Sequence, residues 1–202
     1  MTQQASSTVS RKRRPIISEV EIAILSRRYG APARRSVQIQ ADRYLRRHRW
    51  RADSDRRAEV VFAIEDPRGR IWVHAKRHYP SHVYRLPSGG VNWDETVEHA
   101  LFREIDEETA LPVKVARFVG VIDYRFRDQD SVAYFASYIF HLRCGSGQPH
   151  PHADENISEF RAVLPCQLPQ IAADLRNMVG DRRGWGQFRA IPHDLVYERL
   201  SG

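Results

Sequence analysis

Residues 88–111 read Ser88-Gly89-Gly90-Val91-Asn92-Trp93-Asp94-Glu95-Thr96-Val97-Glu98-His99-Ala100-Leu101-Phe102-Arg103-Glu104-Ile105-Asp106-Glu107-Glu108-Thr109-Ala110-Leu111. A glycine-rich bend runs here into a helix expected over Thr96 to Thr109. On a wheel of about 100° per residue with Val97 at zero, Leu101 falls at about 40°, Ile105 at about 80° and Ala100 at about −60°, so this side faces a core. Glu108 falls at about 20°, Glu104 at about −20° and Glu107 at about −80°. Three carboxylates therefore share the sector of the apolar stripe, one turn further along. Phe102 lies opposite, so cover on both sides of the helix is expected.

That placement is costly without a partner. Like charges at i, i+3 and i+4 repel, and partial burial adds a desolvation cost to each. Arg103 neutralises one of them at most. A divalent cation with a preference for hard oxygen ligands resolves the conflict, Mg2+ or Mn2+ best. A solvated acidic helix end, supported by an Arg103–Glu107 pair, is the plainer alternative.

The spacing Gly89-x5-Glu95-x7-Arg103-Glu104-Ile105-x-Glu107-Glu108-x-Ala110-Leu111 resembles the signature of the Nudix hydrolases. Six of its seven fixed identities are present, and both aliphatic positions are aliphatic. Tyr84-Arg85-Leu86-Pro87 also resembles the aromatic-x-apolar-Pro lead-in of that family. Three positions depart. Ala110 stands where the family has a glycine, at a helix end that often needs positive φ, a cost of about 1 kcal/mol. Asp94 replaces a frequent glycine, and Asn92 stands where an acid is common.

The resemblance implies water attacking one phosphorus of a diphosphate that joins a nucleoside to another moiety. By position, Glu104, Glu107 and Glu108 would hold Mg2+ or Mn2+, helped by a backbone carbonyl near Ser88 or Gly89. Arg103 would orient the glutamates, and Glu95 would brace the loop. In some members the general base is the residue matching Glu104 and in others a glutamate of a later loop, for which Glu155 and Glu159 are the candidates here. Lys76, Arg77 and Arg85 are candidates to bind substrate phosphates by charge-assisted bonds. Tyr124, Phe126, Tyr134 and Phe135 either stack a base or fill the core.

Outward from this segment, Glu59 to Glu65 and Arg70 to Arg77 read as strands of a hairpin around Asp66-Pro67-Arg68-Gly69. Val113 to Phe126 and Ser131 to Arg143 read as a second strand pair. A shorter strand is expected near Ser158 to Val163, a helix over Gln167 to Met178, and a last helix over Pro192 to Leu200 with Pro192 in its first turn. His150-Pro151-His152 reads as a polar loop, and Trp185-Gly186-Gln187-Phe188 as packing of the last helix. The class is α+β: with the resemblance, an α/β/α sandwich of mixed sheets over residues 58–202.

In front of it lies a basic extension over residues 18–57. Ser18-x-x-Glu21 makes a capping box for a helix that Gly30 stops. Ser36 to Gln40 alternates as a strand does, and Ala41 to Trp50 reads as a short basic helix carrying Arg43, Arg46, Arg47, His48 and Arg49. Residues 1–17, which contain Arg11-Lys12-Arg13-Arg14, read as a disordered basic tail. Residues 1–57 carry 15 basic and 5 acidic side chains, and residues 58–202 carry 17 and 20, so the net excess of +7 belongs to the front.

That charge opens an alternative in which the segment carries the enzyme to RNA 5′ ends; a small-molecule nucleotide remains the favoured partner. A second alternative is a nucleotide-binding regulator of the same fold without turnover, although no glutamate of the motif is missing. The longest nearly apolar stretch, Val132 to Phe140, falls well short of the ~20 residues of a membrane helix. Two cysteines, Cys144 and Cys166, are expected to be unlinked, buried thiols of a reducing, cytoplasmic compartment. A homodimer is the expected assembly.

Overall fold

The computed structural model describes residues 15–49, 56–80 and 83–201. The Arg11–Arg14 run, Trp50 and Arg51 lie outside the described residues. In chain order the elements are α1 (Glu19–Tyr29), β1 (Ala33–Gln40), α2 (Arg43–Arg49), β2 (Arg56–Glu65), β3 (Ile71–Lys76) and β4 (Ser88–Asn92). They continue with α3 (Val97–Thr109), β5 (Val113–Asp128), β6 (Ser131–Cys144), β7 (Ile157–Val163), α4 (Leu168–Arg176) and α5 (Arg183–Leu200).

The strands form one mixed sheet in the order β1-β5-β6-β2-β3-β7, with β4 on the other part of β2. The chemistry of β2 explains the layering. Val60, Phe62 and Ile64 point to one side, where they pack with Ile22 and Leu25 of α1 and Val97, Leu101 and Ile105 of α3. Val61 and Ala63 point to the other, into a core with Leu45 of α2, Leu175 of α4 and Trp185, Phe188 and Leu195 of α5. A strand that alternates between two apolar cores is buried on both faces, and it requires helices on both sides of the sheet. The architecture is the α/β/α sandwich anticipated from the sequence.

Several elements differ from the sequence reading. The turn between β2 and β3 forms, tied by Asp66 Oδ1, which accepts from the backbone N–H of Arg68 and Arg70 at 2.9 Å each. The two strands then part after Glu65↔Ile71. β2 goes to β6 (parallel) and β4, and β3 to β7. β1 joins the sheet beside β5 in parallel, from Ala33↔Gly120 to Gln40↔Arg127.

The last helix begins at Arg183, nine residues before the expected start, and holds Pro192 in its interior. Gly184 and Gly186 lie inside this helix and serve close packing: a Cβ on Gly186 would meet the Leu175 carbonyl oxygen at 2.1 Å. Phe102 is 43% exposed, so α3 is covered on one side only. Cys144 and Cys166 are free as expected, but Cys144 is half-buried and Cys166 exposed.

Candidate active site

Helix α3 is built to present its acidic face. Thr96 caps the start, its hydroxyl accepting from the His99 N–H at 3.2 Å. Ala110 ends it at φ 50°, ψ 22°, in the left-handed region where the family has glycine. Burial turns the glutamates towards β4. Glu108 is 1% exposed and Glu104 9%, while Glu107 is half-buried at the rim.

The β4 loop meets them. The Ser88 N–H donates to Glu108 Oε2 at 3.2 Å. Gly89 faces Glu104 so closely that no side chain fits between them. Arg103 does more than neutralise one charge: its guanidinium donates to Glu95 Oε1, Glu104 Oε1 and the Gly90 carbonyl at 2.8 Å each and to Glu107 Oε2 at 2.9 Å. Glu95 Oε1 also accepts from the Asn92 N–H at 2.8 Å, closing the loop on the helix.

Electrostatics follow from this crowding. Burial raises the Glu104 carboxyl to about 7; Arg103 opposes the rise, and the Glu108 and Glu107 charges add to it. Burial also raises Glu108, against the pull of Lys76 and Arg85. Lys76 is the second cation of the cluster, its Nζ 3.0 Å from Glu108 Oε1 and 3.0 Å from Glu155 Oε2. With Arg103 and Lys76 so engaged, no group of three His, Cys, Asp or Glu among the described residues is gathered to hold a metal as it stands. The donor set nevertheless fits a hard divalent ion in kind. Every candidate donor is an oxygen, the carboxylates outnumber the local cations, and burial sets a cost on their charge that a metal relieves.

The other candidates divide. Glu155 is drawn to the cluster through Lys76, whereas Glu159 is held away from it by the Tyr84 hydroxyl at 2.7 Å and by Arg161. Arg77 is exposed. Arg85, expected at the cleft surface, is 4% exposed, and its guanidinium is occupied by Tyr79 Oη, the Leu86 carbonyl and Ser88 Oγ. It braces the backbone leading into β4 and is turned from solvent. Tyr124, Phe126 and Phe135 are core residues; Tyr134 is exposed. The His150–His152 loop packs on the end of α3, the His152 N–H donating to the Glu107 carbonyl at 2.8 Å.

The sequence reading missed two residues of α5. Arg189 Nη1 donates to Ser88 Oγ at 3.1 Å and to buried Glu59 Oε2 at 2.7 Å. His193 Nε2 accepts from the Leu86 N–H at 2.9 Å. Both hold the segment before Gly89 from the far side of the sheet. Neither stands in a recognisable motif.

Comparison with known proteins shows the family. A family model for the NUDIX domain matches residues 55–181, and the chain belongs to that family. An ADP-ribose pyrophosphatase of Methanocaldococcus jannaschii is 35% identical over 129 residues, which are 63% of this chain and 74% of that protein. A NAD-capped RNA hydrolase NudC of Haemophilus influenzae is 30% identical over 81 residues, 39% of this chain and 31% of that protein. Among solved structures, the MutT NUDIX hydrolase of Burkholderia pseudomallei superposes with a TM-score of 0.47 at 22% identity, covering 69% of this chain and 96% of that one. Within its family the chain is a Nudix hydrolase, an enzyme that cleaves pyrophosphate bonds. Nudix hydrolases generally require a divalent metal ion. No helix among the described residues is long and apolar enough to cross a membrane.

Proposed function

We propose that this enzyme hydrolyses the diphosphate of a nucleoside diphosphate linked to a second moiety, with ADP-ribose as the first substrate to test. The observation that carries the reading is the row Glu104, Glu107 and Glu108 on one face of α3, closed against the β4 loop by Arg103. The substrate class is supported by the 35% identical relative named ADP-ribose pyrophosphatase, 74% of whose length is matched.

Glu104, Glu107, Glu108 and the Gly89 carbonyl would hold Mg2+ or Mn2+. Such an ion, when bound, neutralises phosphate oxygens and lowers the pKa of a water molecule. The chain's own residues do the rest. Arg103 keeps the carboxylates in register, and Glu95 fixes the loop that carries Gly89. Glu155 takes the proton of the attacking water. Lys76 and Arg77 meet phosphate oxygens. Two free cysteines support a cytoplasmic setting.

The test is turnover of purified protein with Mg2+ or Mn2+ against ADP-ribose, nucleotide sugars, NADH, dinucleoside polyphosphates, nucleoside triphosphates, 5′-triphosphate RNA and NAD-capped RNA. Glu107→Gln/Glu108→Gln runs beside it. Metal-dependent release of AMP from ADP-ribose, lost in the double variant, is the expected result. Turnover of the RNA substrates alone would replace this reading with the RNA 5′-end one.

A further inference from the structure

Glu21 lies outside the region matched by the family model, in the helix that precedes the domain. Its spacing from Ser18 reads as half of a capping box, and one half forms: Ser18 Oγ accepts from the Glu21 N–H at 3.3 Å. The Glu21 carboxylate turns the other way, into the protein. Both its oxygens accept from Arg57 Nη2, at 3.0 and 2.9 Å, and Oε1 also accepts from the Val97 N–H at 3.3 Å. Val97 is the first residue of α3, so a carboxylate from α1 occupies the positive end of the catalytic helix.

Arg57 carries the link further. Its side chain is 0% exposed, and Nη2 donates to the backbone carbonyl of Glu95 at 3.1 Å. The side chain of that same Glu95 accepts from Arg103, which in turn holds Glu104 and Glu107. The opposite end of α1 grips the same turn, Tyr29 Oη donating to Glu98 Oε1 at 2.6 Å. Arg57 Nη1 donates to the Pro15 carbonyl at 3.1 Å and fixes the entry to α1. A buried ion pair of this kind adds little net stability over an apolar pair of similar volume. Its value here lies in orientation.

We propose that α1 is part of the catalytic scaffold, and that Glu21 is a positioning residue which, through Arg57, sets the Glu95 corner and the first turn of α3. Arg103 and the metal-binding glutamates take their register from that corner. The inference rests on the reading of those glutamates as metal ligands, but not on the identity of the substrate.

The experiment uses the full chain with Glu21→Gln and with the paired apolar variant Glu21→Met/Arg57→Met. Three quantities are read: melting temperature, Mn2+ affinity by electron paramagnetic resonance, and kcat and KM on ADP-ribose. Glu21→Gln keeps the shape and is expected to lower Mn2+ affinity and kcat by about tenfold, with KM held within about twofold. The paired variant is expected to recover the wild-type melting temperature without recovering either of these. Wild-type Mn2+ affinity and kcat in the paired variant would overturn the proposal, because the pair would then be packing alone. Should the paired variant not fold, wild-type values in Glu21→Gln overturn it equally. If the wild type binds Mn2+ but leaves ADP-ribose intact, the substrate reading fails and the Mn2+ titration still decides this one.

Discussion

A Cβ at position 89 would fall 1.8 Å from the carboxyl carbon of Glu104 and 1.8 Å from its Oε2. The backbone of β4 and the side chain of α3 therefore share a space that admits glycine alone. Gly89→Ala should drive the Glu104 side chain out of the cluster while leaving both cores intact. A kcat at least about a hundredfold lower, with a melting temperature within a few degrees of wild type, is expected. Kinetics beside a thermal melt check it; unchanged turnover would show that Glu104 works from elsewhere.

The two later glutamates can be separated by one pair of variants. Glu155 lies one lysine away from Glu108, and Glu159 is engaged by Tyr84 and Arg161. Loss of a general base costs about a hundredfold to ten-thousandfold in rate. Glu155→Gln should show a fall of that size in kcat. Glu159→Gln should stay within a few-fold of wild type. The reverse order would move the base to Glu159.

Ala110 sits at positive φ, where a Cβ is strained. Ala110→Gly should relieve about 1 kcal/mol, which in a domain of this size raises the melting temperature by about 2–4 °C. Calorimetry decides, and a lower melting temperature would count against strain at this cap.

His193 is held neutral inside the protein. Burial pulls its pKa down to about 3; the Arg189 carbonyl opposes this, and the charges of Arg85 and Arg189 reinforce it. Unfolded, it takes a proton at an ordinary value of about 6.5. The stability this group supports is complete above about 6.5 and is lost as pH falls towards 3, at about 1.4 kcal/mol per pH unit. Urea unfolding at pH 7, 6 and 5 should show a steeper acid loss for wild type than for His193→Gln. Equal slopes would mean that His193 takes up its proton as readily in the fold as in the unfolded chain.

The glutamate helix was legible because a long gapped spacing and an amphipathic wheel agree on it. The strand pair around Asp128-Gln129-Asp130 was legible because its pairing is local, running from Val113↔Cys144 to Asp128↔Ser131. Pairing between distant segments has no local mark, so the parting of β2 and β3 and the parallel seat of β1 could not be read. The true start of α5 is hidden because Pro192 reads as a first-turn residue, which sets the beginning of a helix there. Gly184 and Gly186 answer to close neighbours, and buried Pro192 to packing against a core the sequence does not display. Arg189 falls in the front that this start leaves out, and His193, inside the expected helix, carries no local mark of its partner, the Leu86 N–H. Arg85 reads as a phosphate-binding candidate because arginine usually keeps its charge in reach of solvent; its neighbours Tyr79 and Ser88 supply the partners that permit burial.

The parallel seat of β1 sets an order on events at the ribosome. Residue 33 pairs with residue 120, so roughly ninety residues must be made before β1 meets its partner strand. At about 5–20 residues per second, that delay is on the order of ten seconds. Through it, the nascent chain carries an unpaired β segment whose free N–H and C=O groups are open to a chaperone or to another strand. β1 is therefore made early and seated late, once β5 has emerged to receive it.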